Sequence, residues 1–311
     1  MPSARAFPLA ARLATTTSVL MFGLIVVGSV VRTTGSGLSC PDWPLCQGRL
    51  FPPLQFNVML EWFHRLLALC VGLLLFATAL VIALDRQARA RLGGVAALAV
   101  ALYFAQALLG ALTVWRLLDP SIVSGHLAVG LLLFGTLLAI ALIAHHESLA
   151  EPAGAVAERP PGLLPVLGGV TLLAYLQSVL GGMVSTNHAS LACPDWPKCN
   201  GEWFPPMTGL VALQVSHRFG AYLLTIAVGF ATWRAMSAPD PVVRFAARLL
   251  PSLVVAQVAL GVCTVLLGVP VWLSALHLAN ATSLLAIALV ATFRVAAMPA
   301  RASQFAPAVA S

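Results

Sequence analysis

The sequence predicts an all-α integral membrane protein: eight transmembrane helices arranged as two four-helix bundles, the second a parallel repeat of the first. Three observations carry that prediction. Of 311 residues, 60% are apolar and 9% charged, where a soluble domain carries about 25% charged residues. Eight segments are apolar over the roughly 20 residues that a helix needs to cross a bilayer. Finally, residues 32–65 and 185–218 share 16 identities in 34 positions without a gap, which marks an internal duplication. The net charge of +7 does not imply nucleic acid, because the basic residues gather in segments on one side of the expected membrane.

The spans are expected at about 14–32, 60–84, 93–115, 123–144, 163–184, 210–233, 246–268 and 274–296. Each is read as helix, because unpaired backbone groups facing lipid cost several kcal/mol. The first follows a basic segment (Arg5, Arg12) with no cleavage-site pattern, so it reads as a span rather than a signal peptide. With the N-terminus in the cytoplasm, cytoplasmic segments hold Arg5, Arg12, Arg86, Arg89, Arg91, Arg159, Arg234, Arg244, Arg248, Arg294 and Arg301. Outer segments hold only Arg32, Arg49, Arg116 and Lys198, and this bias orients the chain with both termini cytoplasmic. An acidic, proline-rich stretch divides the chain into an N-terminal half (1–146), a cytoplasmic linker (147–162) and a C-terminal half (163–311). Four spans per half keep the two halves in the same orientation, with an axis along the membrane normal.

The duplicated stretch joins a two-cysteine loop to a histidine. CPDWPLC at 40–46 returns as CPDWPKC at 193–199, and His64–Arg65 returns as His217–Arg218, an offset of 153 throughout. At an offset of 151, Gln106, Gly110, Thr113 and His126 return as Gln257, Gly261, Thr264 and His277. His64, His126, His217 and His277 each precede the apolar run of an even-numbered helix, so the four imidazoles are expected at one depth, about one turn below the outer interface. Ionisable groups inside spans face the bundle interior. Two imidazoles from facing helices can ligate a haem iron axially, whereas zinc needs four ligands and each half offers two histidines. The plainer reading is four structural histidines that bond neighbouring helices.

One position breaks the repeat. Glu61 stands one turn before His64 on the same helix face, and its counterpart is Gln214. A carboxylate beside a reacting porphyrin edge can take protons or stabilise positive charge; it can also simply pair with Arg65. Arg65 and Arg218 read equally as contacts for porphyrin propionates and as interface anchors. Cys40 with Cys46, and Cys193 with Cys199, read as structural disulfides on the oxidising side, with a redox-active thiol pair or metal ligation as alternatives. His145 and His146 receive no role, and His188 stands outside the duplicated frame.

Taken together, eight spans in two halves, an E-x-x-H-R motif whose repeat lacks the acid, histidines opening the even helices and cysteine-paired outer loops resemble the haem A synthase family over residues 14 to 296. The resemblance implies an oxidoreductase that converts the C8 methyl of haem O to a formyl group through successive hydroxylations. It implies a haem b cofactor on His217 and His277, the substrate haem O beside His64 and His126, and Glu61 as the essential acid. It further implies haem O synthase (the protohaem farnesyltransferase) and an electron acceptor as partners, and a multi-pass protein of the bacterial plasma membrane; whether the chain forms a homo-oligomer is left open by the residues. The short N-terminal segment is expected to lack a mitochondrial presequence.

Three other classes compete. A bis-histidine dihaem electron carrier explains the four histidines, yet it leaves the Glu61/Gln214 difference unexplained and predicts two equivalent haems. A haem-holding assembly factor would tolerate Glu61→Gln. A transporter built on a parallel repeat would need charged residues at mid-membrane, and the spans lack them.

Overall fold

The computed structural model describes residues 3–149 and 158–300. The central part of the expected linker (150–157) and the C-terminal tail with Arg301 lie outside the described residues. The helices are α1 (Ser3–Thr33), α2 (Phe56–Leu84), α3 (Arg86–Trp115), α4 (Pro120–Ser148), α5 (Leu163–Thr186), α6 (Gly209–Ala235), α7 (Pro241–Leu266) and α8 (Val271–Ala296). All eight are long and apolar enough to cross a membrane, and no β-strand forms among the described residues beyond two isolated bridges.

Several helices exceed their expected bounds. α1 begins well before residue 14, so Arg5 and Arg12 are helical rather than in a loop. α3 begins at Arg86, directly after the single turn residue Asp85, and α7 begins at Pro241. The apolar windows used to place spans stop at charged residues, whereas a helix continues past the bilayer wherever its ends are capped. Here the caps are aspartates: Asp85 accepts from the Gln87 and Ala88 N–H groups (3.0 and 2.8 Å), and Asp240 accepts from Val242 N–H (2.6 Å). Asp119 and Asp240 each precede a proline at the first helical position, which needs no N–H partner. α4 runs on through Ser148, so the segment expected to be linker from 147 starts as helix, and His145 and His146 lie in that last turn.

Packing follows the same scheme in each half. α1 contacts α2 and α4, and α3 contacts the same two; α5 contacts α6 and α8, and α7 contacts those two. The halves meet where α1 touches α8, α4 touches α5, and α4 touches α8. Fully buried alanines (Ala10, Ala14, Ala99, Ala144, Ala231, Ala288) let the helix backbones approach closely. Between them sit Leu75, Leu137, Ile140 and Leu250, equally buried. The buried Thr17 and Thr78 hydroxyls bond back to their own helices, to Leu13 O (2.7 Å) and Leu74 O (2.7 Å), and so present no unmet polar group to the packing.

Asp240 also pairs with Arg294 of α8 at 2.6 Å, so one carboxylate caps α7 and ties it to α8. Asp240→Ala is expected to cost about 1–2 kcal/mol, read as a lower thermal midpoint in detergent. Asp240→Asn keeps the cap and loses the ion pair, and should fall between the two.

Candidate functional site

The site begins with two loops. Cys40–Cys46 and Cys193–Cys199 are disulfides, and all four half-cystines are buried. In the first loop the Asp42 carboxylate accepts from the Gly48 and Gln47 N–H groups (2.7 and 2.5 Å). In the second, Asp195 accepts from those of Asn200 and Gly201 (2.7 and 2.9 Å). Gly48 and Gly201 have φ of 67° and 80°, a backbone that glycine adopts without steric cost. These bonds, the Gly48 N–H foremost at Asp42 and the Gly201 N–H foremost at Asp195, hold both carboxyls below the usual carboxylate range.

Each loop is then gripped by the arginine of the His-Arg pair. Arg65 donates to Asp42 O (2.6 Å), Cys40 O (2.8 Å) and Leu45 O. Arg218 donates to Cys193 O (2.7 Å), Lys198 O (2.8 Å) and Asp195 O (2.9 Å). Consecutive helical residues diverge by about 100°, so the arginine reaches the loop while the histidine before it turns inward. Both arginines were candidates for propionate contact, and their guanidinium groups are engaged with loop carbonyls.

Glu61 reinforces the first clamp. It is 4% exposed; Oε2 accepts from Cys40 N–H (2.9 Å) and Oε1 pairs with Arg65 (2.6 Å). Gln214 is equally buried, but its amide donates to Ser190 O (3.3 Å) and its Oε1 has no partner. The carboxylate therefore binds loop, arginine and helix together in the first half, and its amide counterpart does not.

The four histidines line one cavity of about 1070 Å³ to which all eight helices contribute. That is the upper end of ligand-pocket sizes, which run to about 1,000 Å³. His64 and His217 sit at matching places in α2 and α6, and His126 and His277 at matching places in α4 and α8. All lie about two turns into their helices. The His217 and His277 ring centroids are 6.5 Å apart, with the ring planes inclined at 74°. Buried Nδ1 atoms of His64, His126 and His277 have no partner, as expected of polar groups awaiting a ligand.

Every imidazole rests on a glycine of the preceding helix. A Cβ on Gly28 would lie 3.1 Å from His64 Cε1, on Gly110 3.3 Å from that of His126, on Gly181 2.8 Å from that of His217, and on Gly261 3.0 Å from that of His277. Gly110 and Gly261 were visible as a repeated pair; Gly28 and Gly181 also match at the 153 offset, in a helix where few other positions do. Glutamines complete the surroundings. Gln106 Nε2 lies 3.3 Å from His126 Nε2, and Gln257 Nε2 lies 3.2 Å from His277 Nε2. Gln177 lies 3.0 Å from His217 Nδ1 and donates to His217 O at 2.7 Å.

One further residue was misplaced by sequence reasoning, and another was passed over. Arg32, counted among the outer-loop charges, belongs to the last turn of α1, lines the cavity and donates to Ser185 O across the two halves (3.1 Å). His188 shares a left-handed backbone with its counterpart Gly35 (φ 54° and 69°) and lines the same cavity. The shared conformation is invisible in an alignment of histidine with glycine.

The chain is similar to proteins that are already known. The family model described as cytochrome oxidase assembly protein (COX15-CtaA) matches residues 11–59 and 54–289. A haem A synthase of Symbiobacterium thermophilum is 33% identical over 250 residues, covering 78% of this chain and 81% of that protein. One of Caulobacter vibrioides is 30% identical over 89% of this chain and 93% of its own length, and one of Methylobacterium radiotolerans is 28% identical over 88% and 86%.

Because the folded-state carboxyls of Asp42 and Asp195 are depressed, their contribution is full above the ordinary carboxylate pKa of about 4 and is lost as pH falls through the lower folded value. Asp195→Asn is thus expected to open the Cys193–Cys199 disulfide to a phosphine reductant several-fold faster at pH 7. The variant and wild-type rates should start to approach each other near pH 4 and converge only below the depressed folded value of Asp195.

Proposed function

The chain belongs to the cytochrome oxidase assembly protein family (COX15-CtaA), and on that premise we propose that it acts as a haem A synthase, oxidising the C8 methyl of haem O to a formyl group. The observation that carries this reading is one cavity holding two imidazole pairs with a carboxylate beside only one of them. A dihaem electron carrier needs no such difference.

We assign the substrate to the His64/His126 side and a haem b cofactor to His217 and His277. The fit of the second pair rests on its shared cavity and on the glycine beds that leave each ring uncrowded. When bound there, a haem supplies one-electron redox chemistry between substrate and an external acceptor. The chain's own part is positioning and electrostatics. Arg65 and Arg218 anchor the disulfide loops over the cavity, and Gly28 and Gly110 make room for the His64 and His126 rings. Glu61 is fixed from two sides, by Cys40 N–H and by Arg65. Held one turn from His64 and lining the cavity, its carboxylate would stabilise positive charge on a substrate bound beside the first pair and would take protons released as C–H bonds are replaced by C–O bonds. The disulfide loops face the oxidising outer side of a bacterial plasma membrane and both termini face the cytoplasm. The arginine distribution supports that orientation, and the two disulfides agree with it. The matching contact schemes of α1–α4 and α5–α8 support a parallel repeat.

Glu61→Gln is expected to keep bound haem and to abolish haem A formation; normal product from that variant would remove the acid from the mechanism. His217→Ala and His277→Ala should each lose the low-spin absorption of the resident haem. Gly181→Ala, whose new Cβ meets the His217 ring at 2.8 Å, should weaken haem retention more than Gly28→Ala, where the gap is 3.1 Å.

A further inference from the structure

The cavity carries more positive charge than its own residues neutralise. Arg32, Arg49, Arg65 and Arg218 line it, and Glu61 is the one carboxylate among the described lining residues. Glu61 is already bound by Arg65 and by Cys40 N–H. Arg65 and Arg218 engage loop carbonyls, and Arg49 is exposed in the first loop. Arg32 differs from all three. It is partly buried and makes a single bond, from Nη1 to Ser185 O (3.1 Å). No carboxylate among the described residues pairs with it. A guanidinium withdrawn from water beside apolar helices is costly without a counter-charge, so its remaining N–H groups call for an anionic ligand.

The repeat fixes where that ligand would sit. Ser185 is the residue that matches Arg32 at the 153 offset. Gly28, the bed of His64, lies one turn before Arg32 on α1, and Gly181, the bed of His217, lies one turn before Ser185 on α5. The guanidinium therefore bridges the outer ends of the two histidine sites. The two sides are unequal in charge. On the first side stands the Glu61 carboxylate, which repels a second carboxylate. On the second side the neutral Gln214 takes its place. Ser274, one turn before His277, lines the cavity there and has a buried hydroxyl without a partner. Its counterpart at the 151 offset is Val123, which has no donor to offer.

We propose that Arg32, with the Ser274 hydroxyl, binds a carboxylate of the porphyrin held at His217 and His277, so that the acidic edge of that porphyrin faces the outer end of the cavity. This rests on the cofactor assignment made above. Arginine suits the role, because its planar fork binds a carboxylate through two N–H groups at once. The bond to Ser185 O holds the guanidinium in place before any ligand arrives. Glu61 disfavours the same arrangement above the first pair, so the anion site serves the second.

The test crosses a protein change with a ligand change. Haem-free protein carrying His64→Ala, so that only the second pair can supply two imidazoles, is titrated in detergent with haem b and with the dimethyl ester of haem b, whose carboxylates are uncharged. The low-spin absorption band reports binding. Haem b is expected to bind about tenfold or more tightly than the ester. Adding Arg32→Gln should weaken haem b by about that factor and leave the ester unchanged. Arg32→Lys should recover part of the loss, and Ser274→Ala should weaken haem b several-fold without affecting the ester. The proposal is overturned if Arg32→Gln weakens both porphyrins equally, which would make the residue a tether between α1 and α5 only, or if it weakens neither. Should the Arg32 variants fail to fold, the unmodified Arg32 protein decides: equal affinity for haem b and its ester overturns the proposal. A protein with His217 and His277 intact that binds neither porphyrin in low-spin form would instead sink the cofactor assignment on which the proposal rests.

Discussion

The site depends on a backbone interaction made twice: an arginine guanidinium gripping the carbonyls of a disulfide-closed loop. Arg65 and Arg218 each donate to three loop carbonyls, and each immediately follows a cavity histidine in sequence. Because neighbours on a helix point about 100° apart, fixing the arginine fixes the rotation of the helix about its axis, and so the direction of the imidazole. The disulfide and the aspartate-closed turn make the loop rigid enough to act as the fixed point. The repeated loop, arginine and histidine are parts of one device, which accounts for their having been copied together.

Around that frame the halves diverge in side chains rather than in backbone. Glu61 against Gln214, Leu24 against Gln177, and Val123 against Ser274 all lie at matched positions. The first half has a buried carboxylate and an amide beside His126 alone; the second has Gln214 in the carboxylate's place and amides beside both histidines. A duplicated scaffold thus places two unequal histidine pairs in one cavity.

Much of this was legible in the residues. Apolar length alone located eight spans, and the offsets of 153 and 151 paired the cysteines, arginines and histidines. The partners of Arg65 and Arg218 were not legible, because a side chain that bonds backbone carbonyls leaves no complementary residue type to notice. Helix ends were short by several residues wherever charged residues continue a helix beyond the apolar window, as at Arg86 and Arg5. The glycine beds at Gly28 and Gly181 escaped notice because they depend on which helix packs on which. Leu24 and Gln177 drew no attention as a pair, since one of them carries no chemistry.

Acid-solvent extraction and chromatography of the haems from protein expressed with and without a haem O supply tests the central claim most directly. The account predicts haem b alone without supply, and haem A together with hydroxylated haem O once supply is present. Two haem b per chain under both conditions, with no oxidised product, would contradict it and leave an electron carrier in its place.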